Sequence, residues 1–150
     1  MTSVEVKGQD IIGEVSSGIR KLGEDIVAAY LFGSTLKPRS FKGDLDIGFL
    51  LEEDALKGGT LPVRNRIYLE LRKSLGRDDI DVVILNNAPL LLRYAVIKEG
   101  VLAYEKDTDR RIEFEVRTML EHFDFSHIRE MFWRDTLERL RDGRFAKPDR

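Results

Sequence analysis

Residues 30–51 read YLFGSTLKPRSFKGDLDIGFLL, and the rest of the chain is organised around them. An apolar run from Ile26 to Phe32 ends in Gly33-Ser34, nine residues then pass, and Asp44 and Asp46 open a second apolar run that closes at Leu51. The pattern predicts a strand, a tight turn, a short basic connection and a second strand. Successive side chains of a strand point to opposite faces, so Asp44, Asp46 and Gly48 share one face and Leu45, Ile47 and Phe49 the other. Two carboxylates thus project together from one strand start. Like charges that close repel unless a cation sits between them, and an all-oxygen ligand set suits a hard ion such as Mg²⁺.

Upstream, Ile11, Ile12, Val15, Ile19 and Leu22 recur at helical spacing, with Gly23 as a stop and two internal glycines, Gly13 and Gly18, weakening the helix. Ile26–Phe32 is apolar on both faces, as in a buried central strand. A helix starting at Ser34 would aim its free N–H groups back at the strand end. Downstream, Pro62 suits a first helical turn, Val63, Ile67, Leu71 and Leu75 form one stripe, and Gly76 closes it. DDIDVVI reads as a third strand with Asp79 and Asp81 on one face, Pro89–Lys98 as a helix, and VLAYE as a fourth strand at an edge.

From Asp107 onward the sequence predicts two further helices. The first is capped by Asp107 or Thr108 and carries Ile112, Val116, Met119, Leu120 and Phe123 on one side. The second begins at Ser126 and aligns Ile128, Phe132, Leu137 and Leu140. Strands separated by helices define an α/β (α+β) class with a mixed sheet flanked by helices and two C-terminal helices. With no Pro- or Ser-rich linker, residues 1–150 read as a single domain in which 107–142 form a helical extension.

The absence of cysteine excludes thiol nucleophiles, disulfides and zinc–thiolate sites, and a cytoplasmic location is expected. MTSVEVKGQD has no signal-peptide pattern, and no run approaches the roughly 20 apolar residues of a membrane span. Charged residues are 35% of the chain but cancel to a net −2, so nucleic acid is not expected as a direct ligand.

The chain contains three Asp-x-Asp pairs. Asp107/Asp109 precedes a helix and reads as capping and dipole compensation. Asp44/Asp46 and Asp79/Asp81 each lead into an apolar strand, and only the first follows a Gly-Ser turn. If those strands are neighbours, Asp81 reaches a cation held by Asp44 and Asp46, and three carboxylates form a layout for metal-assisted nucleotidyl transfer. Asp81 would take a second ion or the proton of the incoming hydroxyl. Ser34 and the N–H groups after Gly33 would seat phosphate oxygens. His122 and His127 read as surface or interface residues. Met131, Phe132 and Trp133 read as core, with a partner surface as the other reading, and Arg93 and Tyr94 fall on the acceptor side.

The apolar strand, Gly33-Ser34, Asp44-Leu45-Asp46 and Asp81 in a following strand resemble the minimal nucleotidyltransferase superfamily, with its polymerase-beta-like fold. The stretch from DIDVVILNN through VLAYE to TMLEHFDF is similar to MNT antitoxins of HEPT/MNT toxin–antitoxin pairs, the resemblance covering roughly residues 10–135. It implies protein adenylylation: AMP moves from ATP, with one or two Mg²⁺ ions, to a tyrosine of a HEPT ribonuclease toxin, with a homo-oligomer or a hetero-oligomer with the toxin as the assembly. It also implies metal ligation and catalysis by Asp44, Asp46 and Asp81, and nucleotide binding by Gly33, Ser34 and Thr35. Here Thr35 stands where the family commonly has Arg, and the Ser34–Asp44 spacing is one residue short, so that triphosphate contact is expected to be either lost or moved to Lys37 or Lys42. A binding antitoxin without turnover, and a nucleotidyltransferase acting on a small molecule such as an aminoglycoside, are the other readings.

Overall fold

The computed structural model describes residues 3–33 and 44–143, with side chains from Asp10. In chain order the elements are α1 (Ser3–Arg20), β1 (Ile26–Phe32), β2 (Leu45–Leu51), α2 (Thr60–Leu75), β3 (Ile80–Ile84), α3 (Leu90–Glu99), β4 (Val101–Glu105) and α4 (Thr108–Arg141). Among the described residues the strands form one mixed sheet of order β3-β2-β1-β4. β1 runs antiparallel to β2 and β4, and β2 parallel to β3. The apolar β1 and β2 thus take the two central positions, and VLAYE takes an edge.

Side-chain alternation within each strand gives the two faces of the sheet separate cores. On one face, Leu45, Ile47, Phe49 and Leu51 of β2 join Ala29 and Leu31 of β1 against Val15 and Ile19 of α1 and Ile67 and Leu71 of α2. On the opposite face, Tyr30, Leu50 and Leu85 pack with Val96 of α3 and Phe114 of α4. Asp46, Gly48 and Leu50 alternate onto this second face, so the face covered by α3 and α4 is the one that carries the acidic strand start.

Several boundaries differ from the sequence reading for local reasons. α1 begins at Ser3, well before Ile11. Gly18 sits where α1 meets α2: a Cβ there would lie 3.3 Å from Ser74 Oγ, so the glycine permits a close helix–helix approach. α2 starts at Thr60 and ends on Gly76, whose φ of +64° gives the left-handed cap. The two expected C-terminal helices are one continuous 34-residue helix, α4. No Gly or Pro occurs between Thr108 and Arg141, so Ser126, read as a cap, stays inside the helix. Asp107 does cap α4, accepting from Arg110 N at 3.1 Å. The expected core role of Met131, Phe132 and Trp133 is overturned, since all three are exposed.

The outer edge of β3 is occupied by side chains of α2. Arg64 Nε donates to Val82 O at 2.9 Å, and Tyr68 Oη donates to Asp78 O at 3.0 Å. No helix among the described residues is long and apolar enough to cross a membrane.

Candidate active site

The pairing of the strands decides where the acids go. In the parallel β2–β3 ladder Asp46 and Asp81 are direct partners, and in the antiparallel β1–β2 ladder Asp46 faces Phe32. Adjacent strands lie about 4.8 Å apart, so these two carboxylates leave the same face of the sheet as neighbours. Asp46 and Asp81 are both half-buried. Asp44 is exposed, one residue ahead of β2, and the chain there is tied down by Leu45 N donating to Asp79 O at 2.7 Å.

Gly33 closes the site from the β1 side. Its φ is +80°, and a Cβ built on it would overlap the Asp46 carboxylate, coming closest to Oδ2. Only a residue without a side chain leaves Asp46 this position. Gly33→Ala should therefore push the Asp46 side chain aside. We expect nucleotidyl transfer to fall about ten- to a hundredfold, with a stability loss of only about 1–2 kcal/mol from the left-handed backbone. Steady-state rates beside a thermal melt check this; unchanged rates would separate Gly33 from the chemistry.

Asp79 does not share the role of Asp81. It precedes β3, and Arg77 forks onto it through two hydrogen bonds of 2.5 Å. Those bonds hold the Asp79 carboxyl below its ordinary pKa. They also raise the Arg77 guanidinium, to which Glu14 and Asp44 add Coulombic attraction. Arg64 reaches Asp81 around the β3 edge, with Nη2 3.6 Å from Oδ1. Both arginines escaped the sequence reading, because neither interrupts an apolar stripe or joins a recognisable spacing.

Of the other expected site residues, Ser34, Thr35, Lys37 and Lys42 lie outside the described residues, as does a helix starting at Ser34. His127 is exposed, whereas His122 is half-buried, its ring stacked on Tyr94 at 3.6 Å between centroids. Arg93 is held within the fold by Ala88 O and Glu121. A cavity of about 550 Å³ lies at the opposite end of the sheet, beside Leu50, Leu51 and Asn86. Its arginines are spent on its own acids, Arg110 on Glu52, Arg93 on Glu121 and Arg117 on Glu113.

A bound ion is tested by the donor set. Among the described residues no three His, Asp or Glu side chains converge as a metal cluster. The neighbouring Asp46 and Asp81 still supply what Mg²⁺ ordinarily takes from a protein, one or two carboxylates, with substrate phosphates completing the shell. The donor set fits.

A four-stranded mixed sheet carrying neighbouring aspartates beside a glycine turn defines a polymerase-beta-like nucleotidyltransferase fold. The family model described as polymerase beta, nucleotidyltransferase matches residues 17–109, and the chain belongs to that family and is a nucleotidyltransferase. No curated protein matches. Among solved structures the chain is similar to one from a toxin–antitoxin complex with AMP-PNP, at 23% identity and TM-score 0.65, covering 84% of this chain and 98% of that one. It is similar to one from Shewanella oneidensis tri-AMPylated HEPN toxin in complex with MNT antitoxin, at 23% identity and TM-score 0.62, covering 86% and 98%. A third, from the MntA–HepT toxin–antitoxin, shares 21% identity with TM-score 0.57 and covers 86% and 98%. These likenesses show a shared fold.

Proposed function

We propose that this chain is an MNT-type antitoxin, an Mg²⁺-dependent protein adenylyltransferase that moves AMP from ATP to a tyrosine of a HEPN (HEPT) toxin and so silences it. The observation that carries the reading is the Asp46–Asp81 pairing beside Gly33 in a chain of this family. Its likeness to structures of an antitoxin with AMPylated toxin and of a complex with AMP-PNP supports the acceptor and the nucleotide. Asp44, Asp46 and Asp81 would hold Mg²⁺, which when bound neutralises phosphate charge and stabilises the transition state. Gly33, Ser34 and Thr35, with Lys37 and Lys42, would hold the triphosphate.

The tyrosine oxygen attacks the α-phosphorus, the bond to the bridging oxygen of the β-phosphate breaks, and pyrophosphate leaves. Asp81 takes the phenolic proton, and Arg64 at 3.6 Å keeps that carboxylate oriented. Residues 1–150 act as one domain with α4 as its extension, in the cytoplasm where ATP and Mg²⁺ are supplied. The purified chain with labelled ATP, Mg²⁺ and its cognate HEPN toxin should yield toxin labelled on tyrosine, located by peptide mass spectrometry. Label confined to a small product, or toxin neutralised without label, would overturn the reading.

A further inference from the structure

Asp79 has no part in the proposed chemistry, yet Arg77 closes on it through two hydrogen bonds of 2.5 Å, a planar fork that matches a carboxylate. It stands one step ahead of the parallel β2–β3 ladder, in which Leu45 pairs with Ile80 and Asp46 with Asp81. Leu45 N donates to Asp79 O at 2.7 Å and carries the pairing one step further. Asp44 and Asp79 therefore sit across from each other on neighbouring chains, which in a sheet run about 4.8 Å apart. The Arg77 guanidinium is held beside the proposed ion site.

Three acids compete for that guanidinium. Asp79 pulls hardest, and Glu14 and Asp44 add Coulombic attraction. Glu14 belongs to α1, which covers the other face of the sheet, whereas Asp44 stands with Asp46 and Asp81, whose charges add to its own. An Arg77 released from Asp79 is accordingly drawn toward Asp44. A guanidinium there takes up carboxylate oxygens that a hard cation needs and repels the ion as well.

We infer that Asp79 is a positioning residue: by gripping Arg77 it keeps that guanidinium off Asp44, so that a divalent cation meets no competition from it there. This rests on the ion site of the proposed function. Asp79 is exposed and Arg77 half-buried, so the grip biases the side chain without locking it, and effects of a few-fold are expected. The Asp79/Asp81 pair divides its work, one acid serving the site and the other restraining the arginine that would block it.

The test is a double-mutant cycle of Asp79→Ala and Arg77→Gln on the full chain, with Mn²⁺ as the probe and the EPR signal of the free ion as the readout. Asp79→Ala should weaken Mn²⁺ binding about fivefold, Arg77→Gln alone should change it by less than about twofold, and the two together should restore the wild-type value. In AMP transfer, Asp79→Ala should need about fivefold more Mg²⁺ yet reach the wild-type kcat at saturation. Thermal melts should move little for all three variants, because the pair lies at the surface. Wild-type binding by Asp79→Ala would overturn the inference. So would a loss that Arg77→Gln does not relieve, or one mirrored by an equal gain in Arg77→Gln alone, since Asp79 would then act only as one more negative charge. A wild-type chain that takes up no Mn²⁺, or takes it up equally with Asp46→Asn, would instead defeat the ion site of the proposed function and the inference with it.

Discussion

Asp46→Asn is expected to lower AMP transfer about a thousandfold or more while leaving the melting temperature almost unchanged. Asp46 lies between Gly33 on one side and Asp81 on the other, so it is the central donor of the proposed ion site. Electrostatic stabilisation by a bound ion is worth several kcal/mol, and each step of about 1.36 kcal/mol is tenfold in rate. The side chain is half-buried and outside both cores, so asparagine keeps the packing. Single-turnover rates over a Mg²⁺ titration would check it. More than a tenth of wild-type activity remaining at ordinary Mg²⁺ would remove Asp46 from the ligand set.

The second large effect is on stability. Tyr30 Oη donates to Glu115 at 2.7 Å, Arg111 Nη1 donates to the same oxygen at 2.8 Å, and Arg111 Nε donates to Glu105 at 3.1 Å. This chain of bonds ties the sheet centre to the start of α4. Glu115→Ala leaves a buried phenol without its acceptor and should cost about 2–3 kcal/mol, roughly 5–10 °C in melting temperature. The network also sets an alkaline limit. Burial first, and then the hydrogen bond to Glu115, push the Tyr30 pKa far above its ordinary 10.0. The native state therefore keeps a proton that the unfolded chain gives up. Its contribution is whole below about pH 10 and is lost as pH rises beyond, at up to about 1.4 kcal/mol per pH unit. Denaturant melts at about pH 9 and about pH 11 should show this slope in the wild-type chain and a weaker one in Tyr30→Phe; equal slopes would exclude Tyr30 as its source.

The four strands were legible because their signals are local: β-branched and apolar runs bounded by glycine and aspartate. The neighbouring of Asp46 and Asp81 was legible only as a condition, since strand order is set by long-range pairing. The C-terminal region misled for a physical reason. A cap residue such as Ser126 starts a helix only if the chain before it is not already helical, and apolar periodicity looks the same on a core face as on one left exposed. Arg64 was invisible because its role depends on α2 lying along the β3 edge.

That edge has a last implication. With the Val82 carbonyl taken by Arg64, and Tyr68 holding the Asp78 carbonyl just ahead of the strand, an incoming backbone would have to displace side chains of α2 to pair along β3. Strand addition on this flank is thus made costlier by the arginine and the tyrosine of one neighbouring helix.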